Sequence, residues 1–127
     1  MKLRTTGRSI RLRLNQDDVR KFVETGIVEE TITFGASDES KLVYRLVRSD
    51  QSAVTSSFDN GIITIGVPMI EAKDWAETDR VGIEAICSNG SSDGLAILIE
   101  KDFACLTPRA GDDDKNSFPN PLAIGAS

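Results

Sequence analysis

Residues 8–26 read Arg8-Ser9-Ile10-Arg11-Leu12-Arg13-Leu14-Asn15-Gln16-Asp17-Asp18-Val19-Arg20-Lys21-Phe22-Val23-Glu24-Thr25-Gly26. Ile10, Leu12 and Leu14 alternate with Arg11 and Arg13, the period of a half-buried strand with its arginines in water. The period then changes. Asn15 is placed as a helix cap, Asp17 and Asp18 suit the positive end of a helix, and Asp18 stands at the capping-box position. Val19, Phe22 and Val23 form an apolar stripe at i, i+3 and i+4, and Gly26 stops the short helix.

Shifting the chain by 53 residues lays this pattern on a second one without gaps. Ile10 falls on Ile63, Leu12 on Ile65 and Leu14 on Val67. Val19 falls on Ala72, Phe22 on Trp75, and the pair Glu24-Thr25 on Glu77-Thr78. Val28 falls on Val81. Glu30 falls on Ile83, so Glu30 is expected to mark an edge or a solvent-filled spot. The unit is strand, short helix, strand and a further strand, with copies over about residues 8–49 and 61–101. One copy cannot bury both its sheet face and its helix stripe, whereas two can. The fold class expected is α+β, a small barrel-like or strongly curved sheet with two short helices, since closure removes free edges. An open sheet with both helices on one side is the competitor.

The remaining elements follow from local signals. Strands are expected over Val28 to Phe34, Leu42 to Val47, Val54 to Phe58, Ile62 to Val67, Val81 to Cys87 and Leu95 to Glu100. Asn60-Gly61 signals a tight hairpin, and Pro68 is placed as the first residue of the second helix, with Ala72, Trp75 and Ala76 facing inward. Residues 1–101 read as one domain and residues 102–127 as an acidic, proline-containing tail.

The composition excludes much chemistry. The 127-residue chain has no histidine, so Ser-His-Asp and Cys-His catalysis and His-based zinc sites are closed to it. Its two cysteines, Cys87 and Cys105, lack redox-pair spacing and read as small buried hydrophobes, with a disulfide as the alternative. No residue set asks for a cofactor. Asp112-Asp113-Asp114 reads as a solvated loop rather than a cation cage, because the defined oxygen spacing of such cages is missing. Glu29, Glu30, Glu84, Glu100 and Asp102 could pair as catalytic carboxylates only if the fold puts them in one cleft. No apolar run is long enough for a membrane helix, and a cytoplasmic setting is expected.

Charge is unevenly placed. Residues 1–21 carry seven basic and two acidic side chains, a net +5, which leaves −10 for the rest of a chain of net charge −5. Arg4, Arg8, Arg11 and Arg13 therefore form the candidate anion or partner surface. Cross-strand pairing with Glu29, Glu30 or Glu84 would make them structural instead. No aromatic residue is interleaved with them, which speaks against a stacking surface for nucleic acid. Phe103 and Phe118 are the candidates for docking the tail on the domain.

Ser9-Ile10-Arg11-Leu12-Arg13-Leu14, Phe22-Val23-Glu24-Thr25-Gly26, Val81-Gly82-Ile83-Glu84, Glu100-Lys101-Asp102-Phe103-Ala104-Cys105-Leu106 and Phe118-Pro119-Asn120-Pro121 together resemble an uncharacterised family of short bacterial proteins. The likeness runs over nearly the whole chain and implies no activity. The strand–proline–helix turn Ile62-Ile63-Thr64-Ile65-Gly66-Val67-Pro68 more faintly resembles swapped-hairpin DNA-binding regulators of the antitoxin type. It departs from them by inserting Gly66-Val67 before the proline and by lacking a basic residue at Met69 to Ile70 or at Glu71 to Ala72. The expected function is thus a non-enzymatic binding or accessory module for a protein or a small anionic partner. A DNA-binding regulator is the second reading, and a carboxylate-based or oxygen-ligand metal enzyme the third.

Overall fold

Asn15 turns the chain from strand to helix with two reciprocal bonds. Its side chain accepts from the Asp18 N–H at 2.9 Å, and the Asp18 carboxylate accepts from the Asn15 N–H at 3.1 Å. Two donors that the first helical turn would leave unpaired are thereby satisfied. At the other end Gly26 adopts φ 80°, a left-handed conformation, and donates its N–H to the Phe22 carbonyl.

The computed structural model describes residues 1–102 and Phe118. Within them the chain runs β1 (Lys2–Thr6), β2 (Ser9–Leu14), α1 (Gln16–Thr25), β3 (Ile27–Thr33), β4 (Lys41–Ser49), β5 (Thr55–Asp59), β6 (Ile62–Pro68), α2 (Met69–Glu77), β7 (Gly82–Cys87) and β8 (Leu95–Lys101). The strands form two four-stranded sheets, ordered β1-β2-β8-β7 and β3-β4-β6-β5. The central pairs β2–β8 and β4–β6 are parallel, and every outer pair is antiparallel. Each sheet takes two strands from residues 1–49 and two from residues 55–101, so the two halves are interleaved rather than set side by side.

The α+β class is as expected. In place of one barrel-like or strongly curved sheet the described strands make two, and neither closes on itself. Side-chain contacts join the two sheets instead. The Tyr44 hydroxyl on β4 donates to the Met1 carbonyl ahead of β1 at 2.9 Å, and Cys87 Sγ on β7 lies 3.5 Å from the Val54 carbonyl ahead of β5.

Two local expectations need correction. β1 is not among the strands expected above, and Leu3 is its one apolar residue. It exists through pairing with β2, which sets Leu3 across from Leu12. Pro68 is the last residue of β6 and the cap of α2, not the helix's first residue: its backbone is extended, with φ −54° and ψ 141°. It still pairs in register with Ser49. The Asn60-Gly61 turn is as its residues demand, with both φ values positive at 52° and 76°. A Cβ on Gly61 would sit 2.9 Å from the Lys41 carbonyl oxygen.

Alternation places Leu12 and Leu14 of β2, Leu46 of β4, Ile65 and Val67 of β6 and Ile99 of β8 fully inside. The helices lay Phe22 and Trp75 on this layer, and the two rings meet edge to face, centroids 6.3 Å apart at 68°. Trp75 Nε1 donates to the Val81 carbonyl at 2.9 Å, so the buried indole N–H is satisfied.

Phe22 is 1% exposed, and Phe22→Ala is expected to cost about 3–5 kcal/mol through the cavity it leaves. Urea unfolding followed by Trp75 fluorescence, from the chain's one tryptophan, measures this. A loss under 1 kcal/mol would contradict the packing described.

Candidate functional site

The period-2 geometry of β2 sends Arg11 and Arg13 to the side opposite Leu12 and Leu14. β8 runs alongside in parallel and sets Glu100 across from Arg13. Arg11 Nε donates to Glu100 Oε1 at 2.6 Å, and Arg13 Nε lies 3.1 Å from the same oxygen. Asp102 takes Lys2 Nζ at 2.9 Å and faces Arg13 Nη2 at 3.6 Å. Arg8 pairs with Asp93 at 3.1 Å in the loops at the strand ends. Of the four arginines of the expected anion surface, Arg8, Arg11 and Arg13 thus face carboxylates; Arg4, exposed on β1, faces none among the described residues.

The partners differ from those expected. Glu29 lies 3.7 Å from Arg45, and Glu30 lies 3.2 Å from the Met1 ammonium, which also meets Asp18 at 2.9 Å. Glu84 is exposed on the edge strand β7 with no ion pair among the described residues. Parallel pairing of β2 with β8, which no local pattern reveals, chose Glu100 and Asp102. Both carboxylates are engaged by cations, Glu100 by Arg11 and Arg13 and Asp102 by Lys2 and Arg13, which makes an ion-pair network. No three His, Cys, Asp or Glu side chains among the described residues are grouped to hold a metal ion. Asp112–Asp114, Phe103 and Cys105 lie outside the described residues. Cys87 is buried with a free thiol.

Phe118 donates its N–H to the Asp102 carbonyl at 2.7 Å and packs against the core. The Lys101 ammonium lies 5.6 Å from its ring centroid. Lys101 is 6% exposed, and its Nζ donates to the Thr78 carbonyl at 2.7 Å. Burial holds its pKa below the usual 10.5, partly offset by the Asp79 charge.

A second feature lies at the opposite end of the sheets from the helices, and sequence reasoning missed it. There the β1–β2 and β5–β6 hairpins and the starts of β4 and β8 surround a cleft of about 530 Å³. Its apolar lining is Ile10, Ile63, Leu42, Leu95 and Phe58. The four aliphatic residues are half-buried, while Phe58 is 70% exposed. Its polar lining is Thr5, Thr6 and Ser9 on one hairpin, Ser56 and Ser57 on the other, and Ser88 and Asn89 beyond β7. No lining residue is charged.

Thr6 and Ser9 satisfy each other at 2.6 Å, and Asn89 accepts from Ser91. The hydroxyls of Thr5, Ser56, Ser57 and Ser88 have no hydrogen-bond partner among the described residues. The signal in the sequence was the pairing of hydroxyl runs, Thr5-Thr6 and Ser56-Ser57, with flanking apolar residues. Only the fold reveals that those runs share one mouth.

Two expectations come from these charges. Glu100→Gln removes the carboxylate shared by Arg11 and Arg13, arginines about one-third exposed; it should cost about 1–3 kcal/mol, and a neutral result in urea unfolding would show the network to be ornamental. Tyr44, the one tyrosine, has its pKa raised from 10.0 by burial first and then by the Glu30 and Asp18 charges. The folded chain therefore keeps the phenol proton where the unfolded chain loses it, and this contribution to stability falls as pH rises past 10.0. Tyrosinate absorbance should show a midpoint above 10.0 that Glu30→Gln lowers; a midpoint at or below 10.0 would contradict the environment described.

No curated protein and no solved structure matches the chain. A family model matches residues 1–122, and the chain belongs to that family, a family of unknown function (DUF7009).

Proposed function

We propose that this chain is a non-enzymatic binding module whose ligand site is the uncharged cleft between its two hairpins. The observation that carries the reading is the cleft itself: about 530 Å³, an apolar floor and four hydroxyls without partners among the described residues. That size falls in the roughly 300–1,000 Å³ range of small-molecule sites. The arginine face supports an anion less well, since Glu100, Asp102 and Asp93 already occupy three of its four arginines. The same neutralisation weakens the nucleic-acid reading, which depends on cations free to meet phosphates.

The scaffold for this site is, on our reading, a duplication. A 53-residue shift carries β1 to β5, β2 to β6, α1 to α2 and β4 to β8, and it carries one sheet's strand order onto the other's. Arg48 and Lys101, also 53 apart, each donate to a carbonyl at the end of the preceding helix, Val23 at 3.1 Å and Thr78 at 2.7 Å. β3 and β7 correspond at 55 instead: Val28 stands across from Leu46 and Ile83 across from Ile99. Glu30 then corresponds to Ala85 rather than to the buried Ile83, so its charge breaks no core position. The contacts of Tyr44 with Met1 and of Cys87 with Val54 support a barrel-like grouping of the two sheets around the core. A cytoplasmic setting fits the free thiol of Cys87. The cleft lining follows the same shift, since Ile10 and Ile63, and Leu42 and Leu95, are each 53 apart.

The test is retention of small molecules. The full chain is incubated with a metabolite extract, passed through a desalting column and analysed by native mass spectrometry. A small-molecule adduct is expected on the wild type, reduced about tenfold or more by Ser56→Trp, which fills the cleft; tenfold corresponds to about 1.4 kcal/mol. Phe58→Ala, at a position 70% exposed, removes a cleft wall with little cost to folding and should also weaken retention. Adducts indifferent to both substitutions, or recovery of nucleic acid instead, would overturn the proposal.

A further inference from the structure

We infer that the ligand of the cleft is an uncharged small molecule with a flat apolar body and hydrogen-bonding groups at its edge; this rests on the cleft being the binding site.

The walls define what can enter. Ile10 and Ile63 from the two hairpin strands, and Leu42 and Leu95 from the starts of β4 and β8, form two aliphatic pairs facing the same space. Phe58 stands beside them with 70% of its surface exposed, the one aromatic side chain in the lining. An aromatic face open to a cleft offers stacking to a flat ligand, an interaction worth more than its area alone.

Charge is excluded by what is missing from the walls. None of the lining residues ionises, and Arg8 and Asp93 in the loops at the strand ends pair with each other at 3.1 Å. A carboxylate, phosphate or ammonium drawn into this space would lose water without gaining a counter-charge, a cost that favours neutral ligands. A purely apolar ligand is disfavoured in turn. It would cover the hydroxyls of Thr5, Ser56, Ser57 and Ser88, which have no other partner among the described residues. Hydroxyls both donate and accept, so the ligand edge can carry either kind of group.

A series of indoles of different charge tests the class. Indole, 5-hydroxyindole, indole-3-acetate and tryptamine are titrated into the full-length chain with isotope-labelled methyl groups and followed by NMR. The expected result is that indole and 5-hydroxyindole shift the methyl signals of Ile10, Leu42, Ile63 and Leu95, with 5-hydroxyindole the tighter of the two. The anionic and cationic analogues should bind roughly tenfold more weakly, the order of penalty for an unpaired charge. Ser56→Ala combined with Ser57→Ala should remove the advantage of the hydroxylated probe without abolishing indole binding, and Phe58→Ala should weaken both neutral probes. Cleft signals that respond most to a charged probe would overturn the inference while leaving the cleft as the site. Signals that respond elsewhere, or to none of the four probes, would overturn the site itself.

Discussion

Two parallel strand pairings hold this molecule together. β2 lies against β8 with Ile10 beside Ile97 and Leu12 beside Ile99; β4 lies against β6 with Tyr44 beside Ile63 and Leu46 beside Ile65. Each pairing joins a strand from the first half of the chain to one from the second. Neither half can complete a sheet without the other, and the apolar faces meet only when both pairings are made. These contacts are far apart in sequence, so their closure entropy must be met before burial rewards it.

The same constraint decides which charges meet. Because β8 follows β2 in register, Glu100 and Asp102 lie where Arg11, Arg13 and Lys2 need counter-charges. A cationic amino-terminal segment in an acidic chain becomes a largely self-neutralised sheet face. The β1–β2 and β5–β6 hairpins are in turn brought to one end of the molecule, where their hydroxyls and Phe58 border a common cleft.

Local elements were legible where a short-range physical rule operates. The Asn15–Asp18 cap, the Gly26 stop and the Asn60-Gly61 turn follow from backbone donors and from φ preferences that neighbouring residues settle among themselves. The inner faces of β2, β4, β6 and β8 follow from alternation. β1 was not legible, because a strand with one strongly apolar residue is defined by its partner. The position of Pro68 was misread for a related reason: pairing of Ser49 with Pro68 prolongs β6 to the very start of α2.

The sequence by itself determined the absence of histidine chemistry, the α+β class, the caps and turns, and the apolar stripes that later became the core. These depend on residue identity and on neighbours within about one helical turn or one strand. The tertiary structure alone decided that the eight strands divide into two sheets, that Glu100 and Asp102 rather than Glu29, Glu30 or Glu84 face the arginines, and that Thr5, Ser56, Phe58 and Ser88 border one uncharged cleft. Each is a matter of which distant strands pair. That choice is made by the free energy of burying all faces together, which no local window of sequence contains.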